Sequence, residues 1–404
     1  MKNQKITKQV LFCQFSNVLL NQDKSKIDSK FYEKFYKQNQ NLGFYKNQDF
    51  FEVPLWISEI NGSLKNSNFV SSLHIIKDME ETINFIKSNN FDLVLFSALD
   101  VNKQYIKNIV ESNLDQNFVL GGYIDFSYFK NNQNIKIFKT VKSFIKSLKI
   151  DYVYDLDYSL FKNYKTVPRL TLSLGCSHHC KFCTIQNKIE SIPIRNIIKQ
   201  YKSFINLDFK LIYLNDKTFG QNPNYKLLKS IYNHVKRFNP DFQGFIVQTT
   251  ANLLSKKRFV KNLENLKVKY VEFGLESYNN NILKKFNKPQ TEKIINKAMH
   301  NLKKSKLGII PNLIIGLIGE DKTSYKKTLT FLKQNQKDIF SLNLYNLALY
   351  RESNISETIK NIKNSDLIEN NTNKSFYSSK QLKENQSFNL SVYNFAFKLL
   401  EVKK

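Results

Sequence analysis

Apolar and polar residues follow two different periods along the first third of the chain. An apolar run at residues 9–15 predicts a buried strand, and the Lys- and Asn-rich stretch that continues to about residue 47 predicts helix and loop. Later segments predict a strand at 53–60, a helix at 78–89, a strand at 91–96, a helix at 102–111 and a strand at 117–123. This alternation predicts a small doubly wound α/β domain over residues 1–150.

The middle of the chain repeats the alternation of strands and helices more regularly. Strands are predicted at residues 169–174, 210–215, 242–248, 269–274, 308–315 and 340–347, with helices between them. Six βα units with parallel connections predict a partial barrel over residues 165–350, whose chemistry should lie at the carboxyl ends of the strands. Residues 351–404 predict a polar, loosely ordered extension to about 388, followed by an amphipathic helix at 390–400.

The charge of the chain is strongly positive. The chain has 62 Lys and Arg against 34 Asp and Glu, which gives a formal net charge of +28. Such an excess could attract the phosphates of a nucleic acid. The lysines are nevertheless spread along the whole chain together with Asn, Ile and Phe, which favours a general compositional bias and a solvated surface. Nucleic acid stays open as a partner on net charge alone.

The four cysteines indicate a reducing compartment. Three of them lie within eight residues of a 404-residue chain, which is not the arrangement of a disulfide framework, so we expect a cytoplasmic protein. The fourth, Cys13, lies in an apolar run and is predicted to be a buried strand thiol. The start of the chain lacks a small-residue cleavage site, and no stretch approaches 18 consecutive apolar residues, so neither a signal peptide nor a membrane span is predicted.

Cys176, Cys180 and Cys183 form a CxxxCxxC loop directly after the first predicted barrel strand. Three thiolates at this spacing can bind three irons of a 4Fe–4S cluster and leave the fourth iron open. Zinc is the alternative, with His178 or His179 completing the ligand set. A structural zinc site normally has two separated ligand pairs, and the sequence offers no second pair.

With aromatic Phe182 before its last cysteine, the loop resembles the signature of the radical S-adenosylmethionine superfamily. The resemblance implies a Rossmann-like N-terminal domain followed by a partial (β/α)6 TIM-type barrel. It also implies a 4Fe–4S cluster whose open iron binds the amino and carboxylate groups of S-adenosylmethionine. One-electron cleavage then gives a 5′-deoxyadenosyl radical that abstracts hydrogen from a substrate, with electrons from a donor such as flavodoxin or ferredoxin. Phe182 would border the adenine.

Later segments of the barrel extend this resemblance. Asn215 and Asp216 end the second strand and resemble the family's D-D-x-F segment near the amino end of S-adenosylmethionine, although a helix-capping turn is an alternative. Thr249, at the end of the third strand, would offer a hydroxyl near the ribose.

The fourth and fifth strands carry the remaining motifs. Gly274, Glu276 and Ser277, followed by Leu283 and by Asn287 and Lys288, resemble the family's G-x-E-S … L … N-K segment. Gly274 permits close backbone approach, and Glu276 accepts hydrogen bonds from ribose or amino donors. A further segment containing Asn312, Ile314 and Gly316 would lie against the adenine. No catalytic residue is predicted beyond the cysteine loop.

The N-terminal βαβ pattern resembles the cobalamin-binding domain found ahead of many members of this superfamily. The Asp-x-His-x-x-Gly motif that supplies a cobalt ligand is absent, so a domain that binds nothing stays open beside one that binds cobalamin. Bound cobalamin would imply methyl transfer to carbon. Two further alternatives are a methylthiotransferase that modifies RNA, whose N-terminal domain would need three cysteines where only Cys13 is available, and a non-catalytic iron–sulfur electron carrier. The substrate is not identified.

Overall fold

The computed structural model describes residues 7–20, 26–45, 53–99, 101–122, 124, 126–221, 224–347, 368–370, 373–375 and 379–402. The chain forms two compact units. Unit 1 comprises Met1–Lys24, Gly43–Pro168 and Pro193–Phe209, and unit 2 comprises Ser25–Leu42, Arg169–Ile192 and Lys210–Lys404. The domain boundaries at residues 150, 165 and 350 remain a prediction.

The strands and helices are numbered in chain order. The strands are β1 Lys8–Phe15, β2 Phe69–Ile76, β3 Leu93–Ala98, β4 Phe118–Gly122, β5 Ile135–Ile137, β6 Arg169–Leu170, β7 Ser173–Leu174, β8 Glu190–Ser191, β9 Leu211–Leu214, β10 Gly244–Thr249, β11 Val268–Glu276, β12 Gly308–Ile315, β13 Asn343–Asn346, β14 Ile368–Asn370 and β15 Asn373–Ser375. The helices are α1 Asn17–Leu20, α2 Ile27–Asn39, α3 Leu55–Leu64, α4 Met79–Lys87, α5 Lys103–Glu111, α6 Val141–Ser147, α7 Ile194–Lys202, α8 Tyr225–Phe238, α9 Ala251–Leu254, α10 Lys257–Asn265, α11 Asn280–Lys285, α12 Glu292–Leu302, α13 Lys322–Gln334 and α14 Ser379–Val402.

Unit 1 is built on a parallel sheet with the strand order β2-β1-β3-β4-β5. Its strand β1, which pairs with β2 and β3, is apolar on both faces: Val10 and Phe12 are buried on one side, and Leu11 and Cys13 on the other. A parallel strand covered on both faces reads as a continuous apolar run. The predicted doubly wound α/β fold is therefore confirmed, and Cys13 is a buried strand thiol at 1% exposure.

In unit 1 one predicted strand was wrong and one strand was not predicted. Residues 53–60 do not form a strand, because helix α3 begins at Leu55 and buries Ile57, Ile60 and Leu64 on one face. The window of eight residues was too short to separate helical from strand spacing. Strand β2 was not predicted, because its Ser and His residues interrupt the apolar pattern and it is only partly buried.

Unit 2 contains a curled, six-stranded parallel sheet with the order β13-β12-β11-β10-β9-β6, which confirms the predicted partial barrel. Successive residues of a strand point to opposite faces. Val271 and Phe273 of β11 are fully buried on one face, while Glu272 of the same strand lies on the other. In the described part of the chain, no helix has both the length and the apolar character that a membrane span requires.

The ends of the barrel differ from the prediction. The expected strand at 169–174 is divided: β6 pairs with β9, whereas β7 leaves the sheet and pairs antiparallel with β8. The expected terminal helix at 390–400 is much longer, because α14 begins at Ser379. Asn385, Phe388 and Val392 are buried at helical spacing, although polar neighbours mask this pattern in the sequence. The rest of the predicted extension, residues 351–367, lies outside the described residues.

Candidate active site

The cysteine loop begins where β7 ends and closes on itself. Gly175 has a φ of 80°, and a Cβ at this position would collide with the carbonyl oxygen of Lys188, so the tight turn requires glycine. The Cys176 N–H donates to the carbonyl oxygen of Gln186 at 2.9 Å. The three cysteines are therefore held on one closed loop at the start of the barrel.

Hydrogen-bond donors surround the two partly exposed cysteines. The Sγ of Cys176 lies 3.3 Å from Thr218 Oγ1 and 3.7 Å from Gln221 Nε2, and Ile185 N–H donates to Cys183 Sγ at 3.4 Å. Donors of this kind stabilise the negative charge of a thiolate. Thr218 and Gln221 were missed in the sequence, where their only signal is that they follow Asp216 at a strand end.

The donor set consists of three free cysteine thiols, which are the usual ligands of iron–sulfur clusters. Among the residues that the structure describes, no three Cys, His, Asp or Glu side chains converge on one metal position. A zinc site would need such convergence, whereas in a 4Fe–4S cluster each thiolate binds its own iron. Burial raises the pKa of Cys180 to about 11, and the Lys288 ammonium opposes that rise. Metal binding deprotonates such a thiol.

A buried ion pair stands beside the loop. Lys288 Nζ lies 2.8 Å from Glu276 Oε1, and the two side chains are only 10% and 9% exposed. Burial opposes the charge of Lys288, but the Glu276 and Cys180 side chains raise its pKa above the ordinary value. The ammonium also lies 5.9 Å from the centre of the Phe182 ring. Lys288 is therefore a positively charged residue of the site, whereas the sequence indicated it only as part of a motif and gave it no role.

The end of β11 is shaped to hold this pair. Its register with β12 shifts between Gly274 and Glu276, and Glu276 has a φ of 58°. A Cβ on Gly274 would run into the Glu276 carboxylate and the Lys288 ammonium. Gly274 was predicted to allow a close approach to the backbone. In the structure the Glu276 and Lys288 side chains are the groups that come close to it. The buried Ser277 follows directly.

The segment that carries Lys288 is tied to the cysteine loop. Lys181 N–H donates to the Phe286 carbonyl oxygen at 3.0 Å, and Asn287 Nδ2 donates to the His179 carbonyl oxygen at 3.0 Å. Phe182 and Ile314 pack against the same small apolar cluster, which includes Phe286. The structure therefore brings the cysteine loop together with Phe182, Glu276 and Ile314.

Asn215 and Asp216 face the start of the barrel. The Asp216 carboxylate accepts hydrogen bonds from Leu172 N–H at 3.2 Å and from the Ser173 hydroxyl, and burial raises its pKa to about 6. Asn215 accepts from Arg169 at 3.1 Å. These contacts fasten the segment in which the chain leaves the sheet for the cysteine loop.

The other predicted contacts also have protein partners. The Thr249 hydroxyl donates to the Phe219 carbonyl oxygen at 2.7 Å, and Asn312 Oδ1 accepts from Asn343 at 3.0 Å. The Gly316 N–H donates to the Tyr325 hydroxyl at 3.1 Å, and Gly316 has a φ of 83°.

A polar network covers the face of the barrel sheet that also carries Asn312 and Ile314. The Tyr213 hydroxyl donates to Glu272 at 2.9 Å, and the Arg169 guanidinium lies 4.5 Å from the centre of the Tyr213 ring. Burial, together with the Glu272 carboxylate, raises the pKa of Tyr213. One cation and one carboxylate make this network nearly neutral. It lies on alternate residues of separate strands, so no short motif marks it in the sequence.

Unit 1 has a cavity of about 360 Å³. It lies between the sheet and helices α3 and α6, and Trp56, Ile60, Leu95, Gly121 and Phe144 are among its lining residues. The volume falls at the lower end of the range of small-molecule pockets. His74 is not part of its lining, since its ring stacks on Phe85 and its Nε2 lies 3.0 Å from the Thr82 hydroxyl.

Comparison with known proteins identifies the barrel segment. Residues 170–332 match the model of the family described as the Radical SAM superfamily. A tRNA-2-methylthio-N(6)-dimethylallyladenosine synthase of Clostridium novyi is 24% identical over 284 residues, which cover 62% of this chain and 57% of that protein. A synthase of the same name from Campylobacter jejuni subsp. doylei is 27% identical over 267 residues, covering 59% and 58%. The chain thus spans little more than half of these relatives.

Solved structures share the fold over nearly the whole chain. The cobalamin-dependent S-adenosylmethionine radical enzyme OxsB, with aqua-cobalamin and S-adenosylmethionine bound, has a TM-score of 0.67 at 12% identity and covers 95% of this chain and 66% of its own. The radical S-adenosylmethionine methyltransferase TsrM from Kitasatospora setae has a TM-score of 0.65 at 11% identity, covering 97% and 89%. At these identities the likeness concerns the fold.

Proposed function

We propose that this chain cleaves S-adenosylmethionine reductively at a 4Fe–4S cluster bound by Cys176, Cys180 and Cys183, since its residues 170–332 match the model of the Radical SAM superfamily. The observation that carries the proposal is the closed cysteine loop beside the buried Lys288–Glu276 pair. A bound cluster, once reduced by an external electron donor, would supply the electron that breaks the bond between the sulfonium sulfur and the 5′ carbon. Methionine would leave, and the 5′-deoxyadenosyl group would take a hydrogen from the substrate.

The protein residues keep the charges within the site and orient the groups that contact S-adenosylmethionine. In this proposal the three thiolates bind the cluster, and donors such as Thr218 Oγ1 stabilise the thiolate charge. Lys288 keeps a positive charge within the buried site and orients the Glu276 carboxylate, which is then able to accept from the ribose or the amino group of S-adenosylmethionine. Phe182 and Ile314 provide an apolar border for the adenine and exclude water from it.

The other predicted contacts act mainly by shaping the site. Asn215, Asp216 and Thr249 fix the strand ends, as their protein hydrogen bonds suggest. We assign the backbone around Gly274, Ser277, Asn312 and Gly316 to the surface that S-adenosylmethionine contacts. The polar network of Arg169, Tyr213 and Glu272 would then face the substrate. Its near neutrality suits an uncharged or zwitterionic group better than a phosphate.

Anaerobic reconstitution tests this function. The chain is loaded with iron and sulfide, reduced with dithionite in the presence of S-adenosylmethionine, and assayed for 5′-deoxyadenosine. We expect 5′-deoxyadenosine from the unchanged chain and none above background from Cys180→Ala. Equal yields from both would overturn the assignment.

We further propose that unit 1 takes part of a cobalamin in its cavity, which would make methyl transfer the reaction. The support is the cavity at strands β3 and β4, with an apolar lining from Trp56, Ile60 and Phe144, together with the fold shared with OxsB and TsrM. Because no histidine lines the cavity, the chain itself would supply no imidazole to cobalt there.

Retention of a corrinoid tests this part separately. The chain is incubated with hydroxocobalamin and passed through a desalting column, and the visible absorbance is read. Gly121→Phe, which fills the cavity, should lose the retained corrinoid. Leu114→Phe, at a site 70% exposed in the same unit, should keep it. No retention by the unchanged chain would sink the cobalamin proposal without touching cleavage of S-adenosylmethionine.

Methylthiolation of a transfer RNA nucleoside is the second candidate, because two curated relatives carry that activity in their names. A second cluster would need ligands beyond the cysteine loop. The sequence contains four cysteines, so only Cys13 remains, and burial raises the pKa of its thiol. We therefore expect close to four irons per reconstituted chain. About eight irons would favour methylthiolation.

A further inference from the structure

The C-terminal helix α14 reaches the proposed adenine site through a chain of two hydrogen bonds. The Gly316 N–H donates to the Tyr325 hydroxyl at 3.1 Å, and that hydroxyl donates to Asn385 Oδ1 of α14 at 2.5 Å. Gly316 follows directly after β12, and its φ of 83° turns the chain out of the strand. Tyr325 thus connects a turn at the barrel mouth to a helix 60 residues further along the chain.

Tyr325 is held firmly in place. Its ring stacks on Phe388 of α14 with a centroid distance of 4.1 Å and an angle of 15° between the planes. Tyr325, Asn385 and Phe388 are all buried. Gln381 Nε2 donates to the same Asn385 oxygen at 3.0 Å and so keeps the amide turned towards Tyr325. A buried acceptor with two donors is costly to replace, because each donor then loses its partner.

Helix α14 does not depend on these two hydrogen bonds for its own position. Val392, Ala396 and Leu399 are buried, and Phe31 of α2 contacts the Tyr393 and Phe397 rings with centroid distances of 5.9 and 5.7 Å. Removal of the Asn385 amide should therefore leave the helix docked. What changes is the restraint on Tyr325, and through it the restraint on Gly316.

We infer that Asn385 is a positioning residue, through which α14 fixes the Gly316 turn for binding the adenine of S-adenosylmethionine. This inference rests on the proposed function, because it takes Gly316 as part of the S-adenosylmethionine surface. A turn with its N–H fixed presents its neighbouring backbone groups in one orientation, so binding does not need to order it. The C-terminal helix thereby contributes to the site without touching the ligand.

The test compares Asn385→Leu, Tyr325→Phe and the double variant with Gln386→Leu, an exposed position on the same helix. The measurement is the KM for S-adenosylmethionine in 5′-deoxyadenosine formation by the reconstituted protein, together with kcat. We expect KM to rise about tenfold in each single variant, with kcat changed far less. Gln386→Leu should behave as the unchanged chain.

The double variant separates positioning from stability. It removes both polar groups, so it should recover much of the thermal stability lost by Asn385→Leu. Its KM should nevertheless stay about tenfold raised, because the hydrogen bond from the Gly316 N–H to the Tyr325 hydroxyl is still absent. If the unchanged chain is active and the variants have the same KM for S-adenosylmethionine, the inference is overturned and the proposed function stands. A KM that recovers together with stability also overturns the inference. A parent without cleavage activity overturns both.

Discussion

The parallel sheets of unit 1 and unit 2 have similar apolar interiors but different side chains at their strand ends. In unit 1, β3 ends at Ala98 and β4 at Gly122, and a cavity with a mainly apolar lining lies beside them. In unit 2, β9 is followed by Asn215 and Asp216, and β11 ends at Glu276 with Lys288 paired to it. The comparison teaches that burial of apolar strands gives both sheets, while the polar residues at the carboxyl ends of the strands distinguish the candidate site of unit 2 from the cavity of unit 1.

The largest expected difference concerns the cysteines. Cys180→Ala in unit 2 should lose the cluster and reduce 5′-deoxyadenosine to background, because one iron loses its ligand. Cys13→Ala in unit 1 should keep the cluster and the yield of 5′-deoxyadenosine, and should lose only about 1 kcal/mol of stability. Iron content and product yield measure the two effects. Loss of iron from the Cys13 variant would contradict the assignment of the ligands.

The second largest expected difference is in how much free energy of unfolding the ion pairs of the two units contribute. Lys288→Met leaves Glu276 buried without its partner and should cost about 3–5 kcal/mol of unfolding free energy. Lys107→Met in unit 1 breaks an exposed pair, since Glu111 is 52% exposed, and should cost about 1 kcal/mol or less. Urea unfolding of the cluster-free chain gives both values. Replacing both partners, as Glu276→Leu with Lys288→Met, should recover most of the loss. Similar losses for Lys288→Met and Lys107→Met would refute the contrast.

Glu320 in unit 2 should make stability depend on pH. Burial raises its pKa from 4.5 to about 8, while the Ser277 and Tyr325 hydroxyls oppose the rise. Between these values the folded chain holds a proton that the unfolded chain releases. Stability should therefore fall by a few kcal/mol as pH rises from 4.5 to 8 and then level off.

Glu320→Gln should remove that decline, because the amide does not titrate. Unfolding measured at several pH values tests this, and an unchanged profile would contradict the prediction. Glu59 in unit 1 is the comparison: burial raises its pKa too, although its hydrogen bond from Tyr152 at 2.6 Å opposes the rise. Glu59→Gln should therefore change the slope in the same direction.

The smallest expected effects concern two strand-end glycines. A Cβ at Gly121 in unit 1 meets only the Phe138 carbonyl oxygen at 3.5 Å, so Gly121→Ala should stabilise the chain by about 0.5 kcal/mol. A Cβ at Gly274 in unit 2 would displace the Glu276–Lys288 pair, so Gly274→Ala should destabilise it by about 1–3 kcal/mol. Thermal unfolding measures both, and shifts of the same sign would show that the two strand ends are equally crowded.

Much of the fold followed from local pattern, and the failures have identifiable causes. Strands such as β1 and β12 were predicted closely, because apolar runs of this length fit buried parallel strands. Helix α3 was mistaken for a strand because its apolar residues were read in too short a window. The division of β6 from β7 depends on pairing with β8, which no local pattern contains.

The candidate site was predicted in part. The cysteine spacing and the segments around Glu276 and Gly316 can be recognised along the chain because each lies within a few residues. Lys288 was recognised only as part of a motif, and its pairing with Glu276 was not predicted. Tyr325 and Asn385 were not singled out, since their importance comes from partners elsewhere in the chain. The Tyr213–Glu272 contact joins residues 59 positions apart.

By itself the sequence determined the two α/β regions, the position of the cysteine loop and the superfamily it resembles, because periodicity and motif spacing act over a few neighbouring residues. The tertiary structure decided which side chains surround the loop, which strand end holds a buried ion pair, and that α14 holds the turn at Gly316. These depend on contacts between distant segments, where burial makes each missing partner costly and so selects a single arrangement.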